Sequence, residues 1–162
     1  MTDQPANFQT DVYVCDTMAL VLWLENRKLP QAIRFIFTEI IHERARLLIP
    51  AMVLAEIGYL SEKGRIGLTL YDITLWTEKL STVEVAAVSS AVTNQAFVIT
   101  DIPELHDRII AATAAEYSAP LLTNDPKIKA SKFVKTIWSI PRHANKKTRR
   151  LPDARTVSSL RP

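Results

Sequence analysis

Short apolar runs rich in β-branched residues alternate along this chain with longer segments whose apolar residues recur at helical spacing. The predicted strands span residues 12–15, 47–49, 83–88, 120–123 and 133–138. The predicted helices span residues 18–25, 31–46, 51–63 and 68–80, with a short helix after Ser89-Ser90 and another from near Pro103 to Tyr117. Continuous apolar runs are typical of strands covered on both faces. The alternation therefore predicts an α/β fold with three layers, in which helices flank a mainly parallel central sheet of about five strands.

Composition divides the chain into three parts. Residues 11–140 carry the strand and helix pattern and predict one domain, because a chain of 162 residues can bury one substantial core. Residues 1–10 form a polar N-terminal extension, and residues 141–162 form a basic, proline-containing tail that we expect to be flexible. The single cysteine, Cys15, excludes an intrachain disulfide and is expected to pack in the core. No run reaches the roughly 18 apolar residues of a membrane span, so we expect a cytoplasmic protein without membrane contact.

Charge is distributed unevenly along the chain. Residues 1–126 contain nine Lys and Arg against sixteen Asp and Glu, a net charge of −7, whereas residues 127–162 contain eleven against one, a net charge of +10. An acidic body with a basic end can hold a metal with one part and a polyanion with the other. The candidate nucleic-acid contacts are Lys127, Lys129, Lys132, Lys146, Lys147, Arg149 and Arg150. The alternative is that these side chains form a solvated surface that only aids solubility.

Four acidic residues stand at the ends of apolar runs or within an apolar stripe, namely Asp16, Glu56, Asp107 and Asp125. Asp16 and Asp125 follow predicted strands, at the edge of a parallel sheet where ligands gather. Glu56 interrupts the apolar stripe of its helix, and Asp107 lies early in an alanine-rich helix. Ordinary structural roles also fit: an N-cap for Asp16 and a turn for Asp125. Glu56 can reach solvent or pair with an arginine, and Asp107 can favour the positive end of the helix dipole.

The chemistry of these acids favours a hard cation. A carboxylate beside buried apolar surface is costly unless something neutralises it. A cluster of carboxylate oxygens suits Mg²⁺ or Mn²⁺, whereas zinc prefers His and Cys, and His42, His106 and His143 show no ligand spacing. A divalent ion between carboxylates and a phosphate is an arrangement of the nuclease type. Two interpretations stay open for Trp76 and Trp138, which could stack on nucleic-acid bases or pack in the core.

Four segments carry a resemblance to a known family. They are Tyr-Val-Cys-Asp-Thr at 13–17, Ile-Pro-Ala-Met-Val-Leu-Ala-Glu-Ile at 49–57, Leu-His-Asp-Arg-Ile-Ile-Ala-Ala-Thr-Ala at 105–114 and Leu-Leu-Thr-Asn-Asp at 121–125. In this order and spacing, they resemble the PIN-domain family and, within it, the VapC-type toxins of bacterial and archaeal toxin–antitoxin pairs. The resemblance covers about residues 11–138 and implies a PIN-like fold. The N-terminal extension and the basic tail lie outside it.

The resemblance implies a metal-dependent endoribonuclease that uses Mg²⁺ or Mn²⁺ to hydrolyse RNA phosphodiester bonds. The implied catalytic and metal-binding residues are Asp16, Glu56, Asp107 and Asp125, supported by the hydroxyl residues Thr17 and Thr123. It also implies a cognate antitoxin as protein partner and a homodimer.

Other functions fit the same residues. One is a PIN-like nuclease that processes RNA or acts on DNA without an antitoxin, and another is a catalytically inactive nucleic-acid-binding module. Phosphatases of the haloacid dehalogenase type also place an Asp after a first strand, but their Asp-x-Asp pair is absent because Met18 stands at its second position.

Overall fold

The computed structural model describes residues 11–139, and the predicted N-terminal extension and the predicted basic tail lie outside them. Within this range the strands are β1 Asp11–Cys15, β2 Ala45–Pro50, β3 Val83–Ala86, β4 Leu121–Leu122 and β5 Thr136–Ile137. The helices are α1 Thr17–Leu24, α2 Gln31–Ile41, α3 Ala51–Glu62, α4 Leu70–Lys79, α5 Ser90–Val98, α6 Leu105–Glu116 and α7 Pro126–Lys129.

The strands form one parallel sheet in the order β3-β2-β1-β4-β5. β1 lies in the middle and pairs with β2 from Asp11↔Ala45 onward and with β4 at Cys15↔Leu122. A backbone hydrogen bond of 3.1 Å from Asp16 N to the Leu122 carbonyl continues this pairing beyond the end of β1. The carboxyl ends of all strands therefore lie at one edge of the sheet, as the sequence predicts.

Both faces of the sheet are covered. Consecutive residues of a strand point to opposite faces, yet Val14 and Cys15 are both fully buried, as are Leu47 and Ile49, with Leu48 between them only 2% exposed. Such burial requires helices on each side, so the predicted three-layer α/β arrangement and the core position of Cys15 are confirmed. Each fully buried aliphatic side chain contributes about 1.5–3 kcal/mol to this packing.

Tryptophans anchor the helical layers. The Trp23 ring stacks on Phe37 with ring centroids 4.9 Å apart and planes at 7°, which joins α1 to α2. Trp76 of α4 is completely buried, so core packing is the correct interpretation of that residue. α4 begins at a capping box, in which the Thr69 hydroxyl accepts from Asp72 N at 3.3 Å and Asp72 Oδ2 accepts from Thr69 N at 2.8 Å.

One predicted boundary is wrong in a way that matters for the sheet. The second helix was expected to continue to Arg46, but α2 ends at Ile41 and β2 begins at Ala45. Between them Glu43 adopts a positive φ of 57°, a turn that no glycine announces. Arg46 thus lies on a strand, where its guanidinium pairs with Glu84 of β3 at 2.9 Å. The predicted strands at 83–88, 120–123 and 133–138 are each shorter in the structure.

The described helices are all too short, or not apolar enough, to cross a membrane.

Candidate active site

The four predicted acids line one cavity at the carboxyl edge of the sheet, with a volume of about 370 Å³. Asp16 directly follows β1, and Asp125 lies three residues after β4 and begins α7. Glu56 projects from the middle of α3, and Asp107 lies in the first turn of α6. The lining residues are Asp16, Thr17, Met18, Leu22, Glu56, Asp107, Ile110, Asn124, Asp125, Ile128 and Trp138. Residues more than 100 positions apart thus meet because two parallel strands end side by side and two helices pack over them.

Asp16 is the most buried of these acids, with 8% of its surface exposed. It is also the N-cap of α1, and its Oδ1 accepts a hydrogen bond of 2.7 Å from Ala19 N. Burial, together with the nearby carboxylates of Asp125 and Glu56, raises the pKa of Asp16 to about 6, although hydrogen bonds from Thr123 and Ala19 lower it. Asp16 therefore takes both positions expected from the sequence, the N-cap of α1 and a place in the acidic cavity.

Glu56 is held in place from α1. The Thr17 hydroxyl donates a hydrogen bond to Glu56 Oε2 across 39 positions of sequence. On the other side, His106 Nδ1 lies 3.7 Å from Glu56 Oε1, with the imidazole 66% exposed. Glu56 therefore neither escapes to solvent nor pairs with an arginine in the structure. His106 is a surface residue, as predicted. Neighbouring residues on a helix point apart, yet the His106 imidazole lies close to Glu56, another of the four acids.

Asp107 is half-buried and faces the same negative surroundings. Burial raises the pKa of Asp107, and so do the charges of Asp125, Glu56 and Glu104, whereas the Lys127 ammonium lowers it. This electrostatic coupling, like that of Asp16, shows that the four carboxylates share one electrostatic environment. A cation in the cavity would relieve the repulsion.

Asp125 orders the loop that closes the site. Its Oδ1 accepts from Lys127 N at 2.8 Å and from Ile128 N at 3.1 Å, which caps α7. Asp125 N in turn donates to the Thr123 hydroxyl at 3.0 Å. Thr123 is fully buried and also bonds Asp16, so it joins the two strand-end acids. The sequence predicts a turn at Asp125, and the structure shows that Asp125 belongs both to this turn and to the lining of the cavity.

Five of the eleven lining residues carried no site prediction, and Trp138 was undecided between base stacking and core packing. Asn124 precedes Asp125 and lines the cavity, although the Asn-Asp-Pro sequence predicts only a turn at this position. The sequence feature that could have identified Asn124 is its position next to Asp125, a candidate acid at the end of a strand. Trp138 lines the cavity as well as packing on the edge of the core. Asp101 does not line it, since its carboxylate accepts from Ser131 Oγ at 2.8 Å and from Lys132 N at 3.0 Å.

The donor chemistry fits a hard divalent ion, though not as a closed cage of side chains. Within residues 11–139, no group of three or more His, Cys, Asp or Glu side chains lies close enough together to hold a metal ion by itself. Mg²⁺ characteristically retains several waters and uses one or two carboxylates together with substrate phosphates. A wide cavity lined by oxygen donors, without cysteine or histidine, suits that mode of binding.

The predicted nucleic-acid contacts divide between described and undescribed residues. Lys127, Lys129 and Lys132 are exposed, and Lys127 Nζ lies 3.5 Å from Glu104 Oε1 near the mouth of the site. The remaining four, Lys146, Lys147, Arg149 and Arg150, lie outside the described residues.

The fold and the site together define a class of protein: an α/β protein with an acidic cavity at the carboxyl edge of a parallel sheet. Solved structures of this fold include the VapBC2 complex of Rickettsia felis bound to a promoter DNA fragment, with a TM-score of 0.60 and 20% identity over 80% of this chain and 99% of that one. DNA-bound VapBC of Salmonella typhimurium gives a TM-score of 0.59 and 18% identity over 78% and 97% of the two chains. A toxin–antitoxin complex of Klebsiella pneumoniae gives 0.54 and 17% over 79% and 99%.

These identities are low and establish a shared fold. The sequence itself matches the PIN domain over residues 13–134, most of the chain. The chain belongs to the PIN-domain family, as its four motifs indicate. A comparison with curated proteins finds no match.

Proposed function

We propose that this protein is a metal-dependent endoribonuclease and the toxin of a type II toxin–antitoxin pair. The observation that carries the proposal is the convergence of Asp16, Glu56, Asp107 and Asp125 on one cavity of a PIN domain. Four carboxylates facing one another are costly in isolation, and the common purpose of such an arrangement is to bind a cation.

The residues divide the work according to their surroundings. Asp16, Glu56 and Asp107 supply direct or water-bridged oxygen donors for Mg²⁺ or Mn²⁺, and Asp125 holds a second ion or orients the attacking water. When bound, a divalent ion increases the acidity of water and neutralises charge on the phosphate. Thr17 fixes the Glu56 carboxylate by its hydrogen bond. Thr123 supports both Asp16 and the Asp125 loop.

Substrate binding depends on cations outside the cavity. Lys127, Lys129 and Lys132 follow the last acid and are exposed, so they can contact the phosphate backbone of an RNA strand. Such contacts release counterions, and affinity should therefore fall steeply with salt concentration.

An antitoxin has an available surface next to the same acids. A second, mostly apolar cavity of about 530 Å³ lies between α3 and the start of α6 and is lined by Met52, Ala55, Glu56, Tyr59, Leu60 and His106. Because Glu56 lines both cavities, an antitoxin segment seated here would reach the acidic site. The related folds from three bacteria were solved as toxin–antitoxin complexes, which supports a partner of this kind. A homodimer remains a prediction from the family resemblance.

The test is cleavage of single-stranded RNA by the purified protein with Mg²⁺ or Mn²⁺, with EDTA and a DNA strand of the same sequence as parallel reactions. Asp16→Asn should lower the rate by on the order of 100-fold or more, whereas Glu62→Gln, the same chemical change at an exposed position of α3, should leave it unchanged. Cleavage that persists in EDTA or in Asp16→Asn would refute the proposal. Faster cleavage of the DNA strand than of the RNA strand would identify DNA as the substrate.

The toxin role has its own experiment. Expression of the parent chain should arrest growth, and co-expression of a small reading frame immediately upstream should relieve the arrest. Growth that continues despite RNA cleavage in vitro would instead favour a nuclease of RNA processing.

A further inference from the structure

The acidic cavity is larger and more apolar than metal and phosphate binding require. Its volume of about 370 Å³ equals that of roughly twelve waters at liquid density. Five of its eleven lining side chains are apolar, namely Met18, Leu22, Ile110, Ile128 and Trp138. Contact with apolar side chains does not stabilise a phosphate or its counterion. These five side chains are therefore suited to an apolar part of the substrate.

Trp138 is brought to the cavity by the pairing of the last two strands. β4 and β5 pair as Leu121↔Thr136 and Leu122↔Ile137, and Thr123 N continues the ladder by donating to the Ile137 carbonyl at 3.2 Å. One further step places Trp138 level with Thr123, the residue that hydrogen-bonds Asp16. Residues level with each other on parallel strands face the same side of a sheet. The indole thus lines the same cavity as the four carboxylates.

Two further apolar residues extend this surface on α1. Met18 and Leu22 are four positions apart and therefore lie on one face of the helix. Met18 is 43% exposed, although the rest of α1 is mostly buried. An exposed thioether and a half-buried indole at the same cavity form a surface on which a flat aromatic group can lie, since both contact π-systems favourably.

We infer that Trp138, with Met18 and Leu22, forms a nucleobase subsite on which an unpaired base beside the scissile phosphate stacks. The inference rests on the proposed nuclease function and adds a substrate requirement to it. A base within a duplex already stacks on its neighbours, so the subsite selects single-stranded nucleic acid. Stacking tolerates every base and predicts weak sequence preference at this position.

Intrinsic fluorescence isolates the contact. The chain contains three tryptophans, and Trp23 and Trp76 are at most 1% exposed, so a ligand that quenches emission does so mainly at Trp138. The experiment titrates Asp16→Asn protein, which does not cut, with a short single-stranded RNA in Mg²⁺. The same RNA with abasic sites and the same sequence as a duplex are titrated in parallel. Quenching by the single strand, and much weaker quenching by the abasic strand and the duplex, is the expected result.

Substitution then measures how much the contact contributes. In the same background, Trp138→Ala should weaken binding of the labelled single strand, followed by anisotropy, by roughly 5- to 150-fold. Trp138→Phe should retain most of the affinity but lose the quenching. Val134→Ala trims a partly buried side chain of the same segment that does not line the cavity, and it should change neither. Thermal unfolding of each variant checks that the fold is retained.

The outcomes separate this inference from the proposed function. If Trp138→Ala binds as tightly as its parent, or loses as much affinity for the abasic strand as for the intact one, the subsite does not exist. Because binding is measured without cleavage, absence of nuclease activity in the parent protein would refute the proposed function and leave the stacking result intact. If the nuclease is active, Trp138→Ala should raise KM with little change in kcat, because stacking binds substrate and transition state alike.

Discussion

Replacing Asp16 by Asn should make the protein more stable while it strongly lowers the proposed activity. Asp16 is a buried carboxylate that faces Asp125 and Glu56, and these surroundings raise its pKa to about 6. Asn has nearly the same shape, carries no charge and is as good an N-cap as Asp. The substitution therefore removes an unfavourable charge and retains the start of α1.

The size of the effect follows from the two pKa values. The gap between the ordinary 3.8 and about 6, at about 1.4 kcal/mol per pH unit, is about 3 kcal/mol. Between these pH values the native state keeps a proton that the unfolded chain has released, so the free energy of unfolding falls as pH rises through the window. Below pH 3.8 both states are protonated and the cost vanishes, and above pH 6 it is fully present.

The assay is urea unfolding at pH 7.5 and at pH 4 with EDTA present throughout. At pH 7.5, Asp16→Asn should exceed the parent by up to about 3 kcal/mol, or about 6–12 °C in Tm for a chain of this size, and the gap should close towards pH 4. Glu62→Gln should show no gain at either pH. Asp101→Asn should lose stability, because hydrogen bonds from Lys132 and Ser131 hold the pKa of that carboxyl below its usual range. An Asp16→Asn protein no more stable than its parent at pH 7.5 would refute the claim that this charge is costly.

Three further substitutions test other parts of the site and fold. Thr17→Val removes the hydroxyl that holds Glu56 and should lower activity on the order of 10- to 100-fold with an unchanged melting curve, and normal activity would contradict a positioning role. Lys127→Gln removes the cation that lowers the pKa of Asp107, so the acid limb of the pH–rate profile should move to higher pH, and an unmoved limb would contradict the coupling. Thr69→Ala breaks the capping box of α4 and should cost about 1 kcal/mol in urea unfolding without altering cleavage, a result that a loss of activity would contradict.

The positions of the acids could be predicted because each carries a local signal. Asp16 and Asp125 follow apolar strands, and parallel strands end at a common edge. Glu56 interrupts an apolar stripe, which is visible from helical spacing alone. Their roles in catalysis and metal binding stay predictions, since geometry places the groups without showing the reaction.

Other features had no local signal. The hydrogen bond from Thr17 to Glu56 spans 39 positions and depends on how α1 packs against α3. The place of Trp138 depends on which strand β5 pairs with, and periodicity does not encode that choice. The end of α2 was missed because Ile40 and Ile41 continue the apolar pattern towards β2, and Glu43 makes the turn without glycine.

Helix capping and cavity lining coincide in the same side chains at this site. Asp16 caps α1 and Asp125 caps α7 while both line the cavity, so the structural role expected of each acid is confirmed and its catalytic role stays a prediction. An alanine at either place would remove a helix cap and a cavity carboxylate together, and lost activity would then say nothing about mechanism. Asparagine separates the two, because it keeps the capping oxygen and replaces the charged carboxylate by a neutral amide. A loss of cleavage in an Asp16→Asn protein that is more stable than its parent would therefore be attributed to the missing carboxylate in the cavity and not to a damaged fold.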